Sequence, residues 1–352
     1  MKAPYKKTLH RFAKSSFLIG GIVLSSVAIT NAQDIHFSQF DETPLLLNPA
    51  NAGAHHDVCV ILNYKNQWQT VGSPYKTFNF SGDVKLLKKK KQQIGLGLDF
   101  FSDKAGEANM GSTQIDLSLS AVININKKSL ISAGLMAGYA QRGMSAASKL
   151  QWGNQYDGMA YDPTRSTGEI NSPTNFSYTD FGGGIQWSYG TDEMYISANN
   201  TRKFNLGVSV FHPQTPTYSL YGDAGQSLHT KFVVHGDASI GIGNSNVVLK
   251  PSYIYFRQGA TQEVTPGLMC QYILQEGSKY TKNKKPAAFS IGGYYRMKDA
   301  AIAIVKFEYS NYCIGFSYDV NLSKLKTDPL VKLSRIVCSK SKPNFSCAGC
   351  SF

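Results

Sequence analysis

The sequence predicts an all-β fold: a transmembrane antiparallel β-barrel of about fourteen strands, with an N-terminal periplasmic segment that resembles a plug. Three observations predict it. The chain opens with an export leader. Hydrophobicity alternates with period 2 along most of the rest. The alternating stretches are longer than soluble sandwich strands, while no run after residue 32 is long and apolar enough for a membrane helix.

Residues 1–32 read as a signal peptide. Lys2, Lys6, Lys7, Arg11 and Lys14 form a positive start, SSFLIGGIVLSSVAI an apolar core, and TNA before Gln33 suits signal peptidase. The mature chain then begins at Gln33, and residues 33–57 form the next unit. Within it, FSQFDETPLLLNPANAG (37–53) is too apolar for a free tail. Its two prolines and the Asn-Pro-Ala-Asn-Ala-Gly turn suit neither a long helix nor a regular strand. A stiff apolar segment ahead of the first strand would stand on the periplasmic side. It would fold up into the lumen as a plug, or present a docking face to periplasmic partners. Its candidate residues are Phe37, Phe40, Pro44, Leu45, Leu46, Leu47 and Pro49, with Trp68 as a further candidate beyond it.

The barrel is expected over 58–337. In 76–86 the even positions are Phe78, Phe80, Gly82, Val84 and Leu86, and the odd ones Thr77, Asn79, Ser81, Asp83 and Lys85. In 114–126, Ile115, Leu117, Leu119, Ala121, Ile123 and Ile125 alternate with Gln114, Asp116, Ser118, Ser120, Asn124 and Asn126. The strands fall at 58–71, 76–87, 92–102, 112–126, 129–142, 178–190, 203–212, 230–243, 246–257, 263–275, 287–297, 300–309 and 311–320. A weaker fourteenth, PLVKLSRIV (329–337), makes the count even, as single-chain bacterial barrels require.

With the N-terminus in the periplasm, the tight turns NKKS (126–129), GNSN (243–246) and SN (310–311) face inward. The long connections 143–177 and 213–229 face outward, which is the outer-membrane habit. The connection 275–287 is a longer inner exception. Loop 143–177 is either a plain surface loop or a lid or docking surface for an extracellular partner. Lys88, Lys89, Lys90 and Lys91 occupy the first inner turn. They are either solvated or, with the other inner lysines, a basic rim for an acidic periplasmic partner or for anionic lipid heads.

The formal net charge of +13 falls to about +8 without the five basic leader residues. Five of those eight charges lie in the tail after Ser323, so the body is only mildly basic. Together with export, this argues against a nucleic-acid partner. Cys59, Cys270 and Cys313 sit within strand patterns as expected free thiols. The basic tail 338–352 carries Cys338, Cys347 and Cys350, among which an oxidising periplasm favours a disulfide.

No hydrolase elbow, phosphate loop or zinc-protease motif occurs. Gly182–Gly184 reads as close packing, and His55-His56 as solvent-exposed histidines. Asp99, Asp116, Asp180 and Asp237 fall on the polar phase, facing either a hydrated lumen or a ligand path. Ser209 and His212 are the one tempting pair for catalysis, but residues three apart on a strand face opposite sides. No enzyme activity, cofactor or metal is expected.

Several segments resemble the PorP/SprF family of type IX secretion membrane proteins. They are HFSQF with PLLLNPANAG, NYKNQW (63–68), GVSVFHPQTP (207–216), LKPSYIY (249–255), YRMKDAAI (295–302) and IGFSYDV (314–320). The resemblance covers roughly 33–322. Lys65 stands where the family usually has Arg. KTDPLVKLSRIVC (326–338) stands where it usually has a Gly-Gly-Phe-Glu closing strand. The resemblance implies an outer-membrane barrel, embedded in lipid, that works with periplasmic type IX components. It would assist secretion or anchoring of a surface protein such as an adhesin, including in gliding motility. A porin or transporter barrel for small solutes is the alternative.

Overall fold

The alternating stretches form one closed antiparallel barrel of fourteen strands. The computed structural model describes residues 34, 36–67, 73–89, 91–144, 149–168, 175–191, 194–195, 198–199, 201–220, 226–277, 284–322 and 330–339, with the backbone alone for 191, 194–195, 198–199 and 330–339. The leader 1–32, Trp68, Lys90, Cys347 and Cys350 lie outside the described residues.

In chain order the strands are β1 (Val58–Gln67), β2 (Tyr75–Lys88), β3 (Gln92–Ala105), β4 (Met110–Asn124), β5 (Ser129–Met144) and β6 (Phe176–Thr191). A two-stranded hairpin, β7 (Met194–Tyr195) and β8 (Ala198–Asn199), stands apart from the barrel sheet. The barrel resumes with β9 (Arg202–Phe211), β10 (Lys231–Gly241), β11 (Val247–Gln258), β12 (Thr261–Gln275) and β13 (Ala287–Arg296). It ends with β14 (Ala300–Tyr309), β15 (Tyr312–Asn321) and β16 (Leu330–Ser339). β16 pairs with both β15 and β1, so LVKLSRIV (330–337) lies in the closing strand, without a Gly-Gly-Phe-Glu motif.

The turns give the barrel its direction. Short connections such as 125–128, 242–246 and Ser310-Asn311 lie at the inner end, where Asn244 (φ 57°) and Ser310 (φ 55°) adopt left-handed turn geometry. Residues 149–168, 212–220 and 226–230 lie at the outer end.

Alternation separates lipid from lumen. On β4, Ile115, Leu117 and Leu119 are 49–53% exposed, while Asp116, Ser118 and Ser120 are 2–4% exposed. Eight strands make an interior that side chains fill, and sixteen or more leave a channel. Fourteen strands need further filling. The described N-terminal segment supplies it: Phe40 and Leu47 join Met136, Phe211, Val233, Ile254, Phe256, Met269, Tyr294, Ile302 and Ile304 in one apolar cluster inside the barrel.

The cysteines depart in part from expectation. Cys270 and Cys313 are free thiols. Cys59, expected to be free, is disulfide-bonded.

Leu135 is 73% exposed near the middle of β5. The Leu135→Arg variant should be destabilised by about 2–4 kcal/mol, as for Arg on the lipid face near the midplane. Urea unfolding in lipid vesicles would measure it.

Candidate functional site

Residues 36–57 run through the lumen from one rim to the other. The expectation for 33–57 put them on the periplasmic side, from where they could fold upward. In the structure the first described residues sit at the outer end. The Lys65 ammonium, near the outer end of β1, donates to the His36 carbonyl at 3.1 Å. The His36 ring is 3.1 Å from Glu263, near the outer end of β12. Ser38 donates to Asp319 and accepts from Arg296 at 3.0 Å. Arg296 also pairs with Asp299 at 2.9 Å and Asp319 at 3.3 Å.

Prolines and short-range hydrogen bonds give the segment its stiffness. A 3-10 turn (Phe40–Glu42) leads into a one-turn helix, α1 (Pro44–Leu47), and then into a second 3-10 turn (Pro49–Asn51). Pro44 and Pro49 each open their turn, where a missing N–H costs nothing. The Asn48 side chain caps the last turn, accepting from the Ala50 N–H at 2.9 Å.

Lys306 of β14 forms ion pairs with both Asp41 and Glu42, and all three side chains are almost fully buried. Two residues along the strand, Glu308 pairs with Lys250 at 3.5 Å and accepts from Gln271 at 3.0 Å. Charges this deep persist only when they are paired and hydrogen-bonded. Phe40 stacks on Tyr294, with ring centroids 5.1 Å apart. Phe37 meets Phe101 edge-on at 6.3 Å.

Below Leu47, Pro49, Ala50, Ala52 and Gly53 pass close against glycines of the wall. A Cβ on Gly95 would lie 2.1 Å from the Ala52 carbonyl oxygen, and one on Gly134 2.4 Å from the Pro49 backbone. One on Gly184 would lie 2.2 Å from Asn48. The close packing expected at Gly182–Gly184 therefore has a specific partner. Wall side chains serve the segment's backbone: Ser209 donates to Leu47, Ser120 to Ala52, and Asn63 to Glu42 at 2.8 Å. Asn48 in turn donates to the Ile185 carbonyl at 3.1 Å. At the foot, Asp83 accepts from the Gly53 N–H at 2.9 Å, and Asp57 pairs with Lys88 at 3.3 Å.

The candidate residues divide between these settings. Phe37, Phe40, Pro44, Leu45, Leu47 and Pro49 are buried in the lumen, and Leu46 is half-buried. Lys88, Lys89 and Lys91 are exposed at the inner end of the barrel, joined there by Lys127, Lys128, Lys284 and Lys285. His55 and His56 are not exposed as expected. They are 5% and 3% exposed within the lumen, and the His55 ring lies 3.1 Å from the Gln186 amide. Asp99 accepts from Asn79 at 2.9 Å, Asp237 from Asn205 at 2.9 Å, and Asp180 meets His212 at 2.7 Å. With Ser209 bound to Leu47 and His212 to Asp180, the two do not form a nucleophile–base pair. In the long outer loop, the Ala160 and Met159 N–H groups donate to Asp157 at 2.8 Å and hold its carboxyl below the usual value.

The sequence profile of the family described as "Type IX secretion system membrane protein PorP/SprF" matches residues 29–331. The chain belongs to the PorP/SprF family. As a PorP/SprF protein it is an outer-membrane component of type IX secretion. None of the curated proteins compared matches its sequence. Among solved structures it is similar to the toluene transporter TbuX of Ralstonia pickettii (TM-score 0.45, 12% identity, 85% of this chain and 94% of that one). It is also similar to CdiB of Escherichia coli (TM-score 0.44, 10% identity, 80% of this chain and 62% of that one). A third is a FadL homologue of Pseudomonas aeruginosa (TM-score 0.43, 11% identity, 84% of this chain and 94% of that one). The chain spans less than two thirds of the CdiB chain.

Reading the sequence missed the partners of the PorP/SprF segment. Lys306, Gly95 and Gly134 were not singled out, and Ser120 was noted only for its place on the polar phase. The available signal was glycine on the inward phase of β3 and β5, in QIGLGLDF and ISAGLMAGY, where a polar residue would otherwise stand.

Two outcomes follow from this packing. Gly95→Ala and Gly134→Ala should each lower stability by about 1–3 kcal/mol through overpacking, and expose the segment to protease. Gly243→Ala, with nothing within 4 Å of its Cβ, should do neither. Lys306→Met should cost about 3–5 kcal/mol by leaving Asp41 and Glu42 buried without it. Adding Asp41→Leu and Glu42→Met should restore most of that. Heat-modifiable gel mobility and urea unfolding would read both sets.

Proposed function

We propose that this protein is a non-enzymatic scaffold of the type IX machinery, assisting secretion or surface anchoring of a partner protein that does not pass through its lumen. The observation that carries this reading is the segment 36–57, held to the wall from outer rim to inner rim. A pore occupied in this way acts through its ends. The inner end offers exposed lysines, which suit an acidic surface on periplasmic type IX components. The outer end offers the described loop residues 149–168, 212–220 and 226–230, which suit a secreted surface protein such as an adhesin.

A solute transporter is the second reading. It draws on a pocket between the segment and the wall, whose wall side carries Asp83, Gln186, Asn205, His235 and Asp237. Those polar groups would suit a small hydrophilic solute once the segment had moved.

One pair of measurements separates the two readings. The purified barrel should be nearly silent in planar bilayers, and deletion of 37–49 should raise its conductance. The tagged full-length protein, extracted from its host's outer membrane, should bring down periplasmic type IX components and a large surface protein. An intact barrel that conducts and purifies alone would overturn the scaffold reading in favour of the transporter.

A further inference from the structure

β1 and β16 are the first and last strands, and their pairing closes the barrel. The register across this seam sets Cys59 directly opposite Cys338. Opposed residues of an antiparallel pair have Cα atoms about 4.5–5.5 Å apart. That lies inside the roughly 4.4–6.8 Å range of a disulfide. Diagonal neighbours, at about 7–8 Å, lie outside it.

The other described cysteines do not compete. Cys313 on β15 faces Ile336, which makes it diagonal to Cys338, and it is a free thiol. Cys270 on β12 is also free and has β13 and β11 as its neighbours. Cys59 is fully buried and disulfide-bonded.

We propose that Cys59 and Cys338 form a disulfide across the seam and lock the first strand to the last. Two thiols lose two protons and two electrons as the S–S bond forms. The electrons pass, through a mixed disulfide, to the disulfide of a periplasmic thiol oxidase, which is reduced to its dithiol. The location suits that chemistry. Cys59 is the second residue of β1 and Cys338 the ninth of β16, so both lie at the inner end of the barrel, facing the oxidising compartment.

The bond has a mechanical consequence. A seam held by hydrogen bonds alone can part and let a chain pass sideways into the bilayer. A seam held covalently at its inner end cannot. The bond also fixes the start of β1, two residues after Asp57, the foot of the luminal segment.

The test is peptide mapping of protein extracted from outer membranes without reductant. The protein is denatured without reductant in the presence of excess alkylating reagent, so that buried free thiols are capped as they become exposed and before they can exchange, and it is then digested with trypsin. The expected product is the peptide IVCSK (336–340) joined to the peptide that ends at Lys65 and carries Cys59, with Cys270 and Cys313 alkylated. Alkylated Cys59 would overturn the proposal. So would IVCSK joined to Cys313 or to the peptide carrying Cys347 and Cys350. A second readout uses reductant. It should lower the temperature at which the native protein loses its folded gel mobility, and leave the Cys59→Ser variant unmoved. An equal response in both would overturn the lock.

Discussion

The ion triad of Lys306, Asp41 and Glu42 is the contact around which the lumen is arranged. Three charges removed from water are a liability unless each has its partners, so strand and segment require one another at this point. Above it the segment is held by His36 and Ser38 to Glu263, Arg296 and Asp319. Beside it Phe40 and Leu47 fill space among Val233, Ile254, Tyr294 and Ile304. Below it Ala50, Ala52 and Gly53 slide under glycines. Polar registration and apolar filling come from the same eighteen or so residues, an extent set by the depth of the barrel.

The backbone adds a second constraint. A segment that is neither strand nor long helix leaves its N–H and C=O groups without regular partners, and in a closed lumen few waters can serve them. The wall does so instead. Ser209, Ser120, Asn63 and Lys65 donate to carbonyls, and Asp83 accepts from Gly53. These polar residues sit on the same inward phase that reads, in sequence, as the hydrated side of a porin-like strand. Their role is specific contact with one peptide.

Legibility in the sequence follows the range of the interaction. Strand phase is local: side chains two apart share a face, so β2 and β4 were readable from their alternation, and the even strand count pointed to β16. The oddity of PLLLNPANAG was also local, because two prolines and a run of apolar residues have few uses outside a packed setting. What faces that segment is not local. Lys306 lies more than 260 positions from Asp41, and nothing near it in sequence announces a carboxylate partner. Gly95 and Gly134 look like ordinary strand glycines until the peptide beneath them is placed. Cys59 looked like a free thiol because its neighbour across the seam lies at the other end of the chain. His55 and His56 looked exposed because a chain approaching its first strand is usually in water, whereas here it is still in the lumen.

An occupied lumen also changes what the alternation means for function. In an open porin the inward phase meets solute, and substitutions there tune selectivity. Here it meets Phe40, Leu47 and Pro49, so the same positions govern whether the segment stays in place. The outward phase meets lipid and is apolar around the barrel, from Ile115 and Leu135 to Ile291 and Phe316. Neither face is free to recognise a protein. Recognition is left to the two ends, and they differ in kind. The inner end carries exposed lysines beside several tight, strand-anchored turns, a geometry suited to a fixed docking site. The outer end carries the long connections, where hydrogen-bonded turns such as the one at Asp157 shape a surface that loop substitutions can vary without disturbing the wall.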